Sequence, residues 1–326
     1  MKIGIVAPTL HMFIEKYAAL FHPDPIVIFT DPMYTDWNQT SRNFYKGFWE
    51  PLHLNIELRE APYTNWDFRD IDVLIETAEC FQYGEKWKDF CLRIPCPILF
   101  KVCFINDMKR FPTAYHNKIC RFPVIVEAPY QLEYWKSKGI NANLIYNPTG
   151  FWWFDKEWLG DKKQVIFVVA GVHRWRGDAL GIGWDWWQEI EKRFPGKFYH
   201  HDSAELGGMP PLQFVDMIRS NRVFVNLDWN SGRPLSTAFS EALSIGMPVV
   251  VRDCQSLNYR NFIRGNGIAS NSLDEIFRFI DRCFSDYEFA KSCSQKSREI
   301  AIEHFHTNIN REKINRLIDL ARQVKK

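Results

Sequence analysis

Short apolar runs rich in β-branched residues alternate along this chain with longer amphipathic stretches. The runs at 2–7, 25–29, 54–59, 72–76, 97–103, 124–127 and 143–146 predict a first series of strands. Those at 164–170, 197–200, 223–227 and 248–251 predict a second. Strands this apolar suit parallel sheets covered on both faces. Helical periodicity fills the spaces between, most clearly at 131–138, 184–193, 212–220 and 236–245. Strand–helix alternation twice over predicts two α/β domains. Asn147-Pro148-Thr149-Gly150 is a turn signal, and the charged Asp161-Lys162-Lys163 follows an aromatic stretch, so the boundary falls near 148–163. From Leu273 onward the pattern is helical and amphipathic.

At 326 residues the chain has the length of about two domains and can bury a sizeable core without covalent staples. Forty-one Lys and Arg face 39 Asp and Glu, and 46% of residues are hydrophobic. This excludes a disordered chain and argues against a general nucleic-acid coat. Lys101, Lys109, Arg110, Lys118 and Arg121 stand against Asp107 alone. That run reads either as a solvated loop and helix face or as a contact surface for a negatively charged acceptor. None of the eight cysteines forms a Cys-x-x-Cys pair, so they read as buried thiols in a reducing compartment, and no metal is expected. The first residues read as a buried strand, since Pro8, His11, Glu15 and Lys16 interrupt any leader-like stretch. No window approaches the length of an apolar membrane span, and a cytoplasmic location is expected.

The most informative segment runs from Asn230 to Val251 and reads strand, loop, helix, stop, strand. Ser236 or Thr237 can cap the helix, and Gly246 sits where a left-handed residue is wanted, with Pro248 barring continuation. A helix N-terminus after a parallel strand offers unpaired N–H groups and a positive dipole end, which suits a diphosphate. Arg233 stands just before it and can add a guanidinium to the same anion. Glu241 shares a helix face with small and apolar residues. A carboxylate there wants partners, and paired sugar hydroxyls would serve, as would a neighbouring backbone group or a lysine. A second segment, Gly171-Val172-His173-Arg174-Trp175-Arg176-Gly177, follows the first strand of the second half. Gly171 permits a tight turn beside a ligand, and Arg174 and Arg176 could clamp phosphate, or the segment is an exposed basic loop. His11, in the loop after the first strand, either reaches the sugar or acceptor or is an ordinary satisfied histidine. Asp228 could face a ligand or cap a turn. The tryptophans at 184, 186 and 187 read as packing residues or as a cover over a site.

Glu241-Ala242-Leu243-Ser244-Ile245-Gly246-Met247-Pro248-Val249 resembles the second half of the Glu-x7-Glu signature of retaining, family-4 nucleotide-sugar glycosyltransferases. Gly171, His173 or Arg174, and Arg176-Gly177 fall where that family has a Gly-Arg…Lys-Gly pattern. Asn143-Leu144-Ile145-Tyr146-Asn147-Pro148 is similar to its linker strand, and Glu303-His304-Phe305-His306 with the final helix to its tail. The likeness is strongest over about 140–310. Two departures stand out: Arg233 occupies the place of the signature's first Glu, and Pro8-Thr9-Leu10-His11 replaces a Gly-Gly loop. The resemblance implies a GT-B fold, two Rossmann-like domains with parallel sheets facing a central cleft. It implies an acceptor domain at 1–148, a nucleotide-sugar donor domain at 149–305 and a helix at 306–326 crossing back to the first domain. Glu241 would hold the ribose hydroxyls, and backbone N–H groups at Leu235, Ser236 and Thr237 the diphosphate. Gly171, His173 and Arg233 would line the donor, Arg174 and Arg176 would neutralise the leaving phosphates, and His11 would face the cleft. The implied activity is metal-independent, retaining sugar transfer from a nucleotide-diphosphate sugar, a UDP-sugar favoured, with no further cofactor. The acceptor is a glycan, a lipid-linked glycan or a hydroxymethylated DNA base. A non-catalytic nucleotide-sugar-binding protein and an epimerase of the same fold are the other readings.

Overall fold

The computed structural model describes residues 1–6, 13–31, 50–77, 93–102, 122–169, 183–202, 209–228, 235–253 and 259–324. The chain divides into two compact units, Met1–Gly150 with Thr307–Lys326, and Phe151–His306.

In the first unit, β1 (Ile3–Val6), β2 (Ile26–Thr30), β3 (Ile56–Glu60), β4 (Val73–Thr77), β5 (Ile98–Val102), β6 (Val124–Val126) and β7 (Ala142–Leu144) form a parallel sheet in the order β3-β2-β1-β4-β5-β6-β7. Every residue of β1, β2 and β6 is buried, as expected of strands covered on both faces. Alternation along the strands sorts the core into two layers. Ile3, Ile5, Ile28, Ile75, Leu99 and Ile125 pack with α1 (Phe13–Phe21) and with the final helix of the chain, α9 (Thr307–Val324), through Tyr17, Ile314 and Ile318. Val27, Phe29, Leu74, Phe100 and Val124 pack on the other side around Trp66, Phe68 and Trp135, the last from α2 (Pro129–Ser137).

In the second unit, after the single-turn α3 (Phe151–Phe154), β8 (Lys162–Val169), β9 (Phe198–Asp202), β10 (Asn221–Asn226), β11 (Val249–Arg252) and β12 (Gly267–Ser270) form a parallel sheet in the order β12-β11-β10-β8-β9. The helices α4 (Trp184–Arg193), α5 (Pro211–Arg219), α6 (Thr237–Ile245), α7 (Leu273–Ser285) and α8 (Tyr287–His304) complete it. α4 carries Asp185 in its first turn and Lys192 and Arg193 in its last, the arrangement that complements a helix dipole. Ser272 and Asp286 cap α7 and α8 by accepting N–H groups of Glu275 and Phe289.

Two expectations need correction. Lys101 is neither a solvated nor a contact residue: it lies inside β5, is 1% exposed and pairs with Glu127. The rest of that basic run, 103–121, falls outside the described residues. β12 is absent from the expected strands because Gly-Ile-Ala-Ser carries a single large apolar side chain and three of its four residues are half-buried, as on a sheet edge.

Candidate donor site

β10 is buried over all six residues, and Leu227 and Asp228 continue it inward. The chain re-enters the description at Leu235, and α6 begins at Thr237. Eight consecutive positions of α6, Ala238 to Ile245, are buried, so its orientation is fixed by packing on every side. Its far end closes as the sequence suggests: Gly246 is left-handed at φ 93°, and its N–H donates to the carbonyls of Ala242 and Leu243. Its near end differs. Ser236 holds the cap position, but its side chain makes no capping hydrogen bond. The Ser236 N–H instead donates to the hydroxyl of Tyr259, 3.2 Å away, and the Tyr259 ring packs edge-on against Phe239 at 4.9 Å. The turn is therefore held from outside the helix, and the first N–H groups of α6 are not served by a Ser236 cap.

A second helix N-terminus reaches the same sheet edge. β8 and β10 are neighbours, and α4 follows β8 in the chain. Its cap residue, Gly183, is left-handed at φ 79°. A Cβ on Gly183 would stand 2.5 Å from the Leu227 Cβ and 2.6 Å from the Leu227 carbonyl oxygen. Only glycine fits where α4 starts against the end of β10. Beside it, Asp228 donates its N–H to the Asn226 side chain at 3.3 Å, with both side chains buried. Arg252, at the end of β11, lies over the Trp186 ring at 4.2 Å and pairs with Asp185 at 3.6 Å. Trp184 stacks on Trp187 at 4.5 Å, and Trp187 meets Phe198 edge-on. These tryptophans thus pack the start of α4 to the sheet.

Glu241 is one turn after Thr237 on the same face of α6 and is 5% exposed. Side chains on a helix lean toward its N-terminus, the direction in which Ser236 and Thr237 lie from Glu241. Leu235, Ser236 and Thr237 thus stand at the start of α6, and Glu241 one turn inside it. Arg174, Arg176, Gly171, His173, Arg233 and His11 lie outside the described residues. Gly183, Tyr259 and Arg252 were not anticipated. The Gly181-Ile182-Gly183 run before an amphipathic stretch was the one available signal for the first, whereas Tyr259 and Arg252 act through contacts distant in sequence. Among the described residues, no group of three or more His, Cys, Asp or Glu could hold a metal ion, and no helix is long and apolar enough to cross a membrane.

No protein-family model matches this chain, and no curated protein matches it in sequence. Solved structures do match over its whole length. HepE of Anabaena, in complex with UDP and glucose, superimposes with a TM-score of 0.66 at 12% identity, covering 98% of this chain and 99% of that one. A glycosyltransferase from Rickettsia africae gives 0.66 at 10% identity, covering 100% and 98%. The lipopolysaccharide outer core galactosyltransferase WaaB gives 0.58 at 15%, covering 98% and 99%. The fold is GT-B. Open parallel sheets take their ligands at the carboxyl edge, and α4 and α6 begin at that edge of this one.

Proposed function

We propose that this chain is a glycosyltransferase that binds a UDP-sugar in its second unit and transfers the sugar to a hydroxyl of an acceptor held by its first. The observation that supports this most is the junction of β10 with α4 and α6: two helix N-termini at the edge of adjacent strands, with Glu241 buried one turn inside one of them. Two helix dipoles suit a diphosphate, and a buried carboxylate one turn along suits a pair of ribose hydroxyls. The Anabaena neighbour of this fold has been seen with UDP-glucose.

On this reading the bond between the sugar C1 and the diphosphate oxygen breaks, the acceptor oxygen bonds to C1, and the acceptor proton leaves with a base. Backbone N–H groups at Leu235, Ser236 and Thr237 hold the diphosphate. Arg174 and Arg176, with Arg233, neutralise it as it departs, so the site works without a metal ion. Gly171 and His173 line the donor, and His11 is assigned to the sugar or the acceptor. Transfer is retaining, in keeping with the resemblance of the Glu241–Val249 segment to family-4 enzymes. The acceptor is a glycan or lipid-linked glycan.

Melting temperature in the presence of UDP, GDP, ADP and TDP sugars, each with and without EDTA, tests this. UDP-sugars should raise it through mass action, with EDTA making no difference. Absence of a shift with every nucleotide would refute the donor site. A shift abolished by EDTA would refute metal independence alone.

A further inference from the structure

The carboxyl rim of the seven-stranded sheet is where the first unit buries charge. Lys101 is the penultimate residue of β5, and Glu127 follows β6 directly. Lys101 Nζ lies 2.5 Å from Glu127 Oε1, with the side chains only 1% and 2% exposed. The Tyr17 ring of α1 is 5.7 Å from the ammonium. Gln131, in the first turn of α2, accepts the N–H groups of Glu127 at 2.8 Å and Ala128 at 3.1 Å. One connected set of bonds therefore ties β5, β6 and α2 together at the rim. On the opposite face Glu76, fully buried, is aligned with Val6 at the end of β1. Strand order reverses between β1 and β4, so Glu76 stands at the switch point where open parallel sheets take their ligands.

Stability does not account for this arrangement. Withdrawing an ammonium and a carboxylate from water costs about as much as their attraction returns, and an apolar pair of similar volume is commonly as stable or more so. Earlier positions on the same strands, Leu99 and Ile125 on one face and Leu74 and Phe100 on the other, are apolar. On these strands polarity enters at the rim, the edge at which open parallel sheets take their ligands.

We propose that the Lys101–Glu127 pair and Glu76 are positioning residues for the acceptor, fixing from beneath the rim that holds an uncharged, hydroxyl-rich glycan. This rests on the transferase reading above. Among the described residues the buried charges of this unit are Lys16 and Lys101 against Asp31, Glu76 and Glu127, so these groups carry no surplus positive charge for a polyanion.

The test is the apolar double variant Lys101→Met/Glu127→Leu beside the single Lys101→Met. Three quantities are measured on each full-length chain: melting temperature, its shift with UDP, and label transferred from UDP-glucose. The acceptors are octyl glucoside, octyl galactoside and a duplex containing 5-hydroxymethylcytosine. The single variant should lose stability, and the double should recover it while transfer to the octyl glycosides falls at least about tenfold with the UDP shift intact. Transfer at the wild-type rate in the double variant overturns the proposal, as does a double variant no more stable than the single. Labelling of the duplex, or of neither acceptor class by a wild-type chain that binds UDP, overturns the acceptor chemistry. Should the double variant not fold, Glu76→Gln keeps shape and packing, and unchanged transfer there is equally decisive. A wild-type chain that UDP does not stabilise would instead bring down the donor reading, which the second measurement reports by itself.

Discussion

Gly183 and Leu227 are in closer contact than any other residue at position 183 would allow: a Cβ there would press into both the Leu227 side chain and its carbonyl. Gly183 is also left-handed. Gly183→Ala therefore meets two penalties, the left-handed backbone and the overlap, together about 2 kcal/mol or more. It should lower the melting temperature and displace the start of α4, weakening UDP binding as well. Gly196, left-handed but with open space around it, is the control: Gly196→Ala should destabilise less and leave the UDP shift unchanged.

Glu241 should distinguish ribose from deoxyribose. A hydrogen bond to a charged group is worth about 1.5–3 kcal/mol, so Glu241→Gln should weaken UDP binding by roughly tenfold or more by calorimetry. The wild-type chain should prefer UDP to 2′-deoxy-UDP, and the variant should lose much of that preference. Equal affinity of the variant and wild type for UDP would remove Glu241 from the ribose role and leave it a packed residue of α6.

The turn before α6 separates a cap expected from sequence from the contact that holds it. A serine that caps a helix contributes about 1 kcal/mol. Ser236 makes no such bond, so Ser236→Ala should shift the denaturation midpoint little. Tyr259→Phe removes the acceptor of the Ser236 N–H while keeping the ring against Phe239, and should cost about 1 kcal/mol. A larger loss in Ser236→Ala than in Tyr259→Phe would reverse that assignment.

The parallel sheets were legible because their strands carry their own signature: β1, β2 and β10 are buried on both faces, and each centres on a run of apolar, β-branched residues. α4 was legible to the residue, since its hydrophobic spacing and terminal charges act locally. What escaped acts over distance. Lys101 reads as one of five basic residues until β5 sets it opposite Glu127, 26 positions later in the sequence. Tyr259 reads as an ordinary aromatic until it meets Ser236, 23 positions earlier. Ser236 has the right residue type at the right place, yet a tertiary contact took over the work of a local cap. β12, short and half-buried, lacks a pattern and is specified by its pairing with β11.

Acid should weaken the first unit through one edge of its sheet. Arg59 grips Asp70 with both terminal nitrogens, at 2.8 and 2.6 Å, and Glu57 with Nε at 2.7 Å, while Lys2 reaches Asp70 at 2.7 Å. Hydrogen bonds from Arg59, then Lys2, hold the Asp70 carboxyl well below the usual range, and Arg59, then Lys2, lower Glu57 as well. Asp67, bound by Arg69, is lowered to about 2. Carboxyls depressed in the folded state bind fewer protons there than in the unfolded chain. Their contribution is therefore complete above the unfolded-state values near 4 and is lost as pH falls through the folded ones. Melting temperature should thus be flat from about pH 7 to 5 with respect to these groups and decline from about pH 5 toward 2. Arg59→Met should lower the plateau modestly, because the groups are solvent-screened, and should make the decline shallower, because Asp70 and Glu57 then titrate closer to their unfolded values. An acid limb of the same steepness in the variant would mean that other carboxylates govern it.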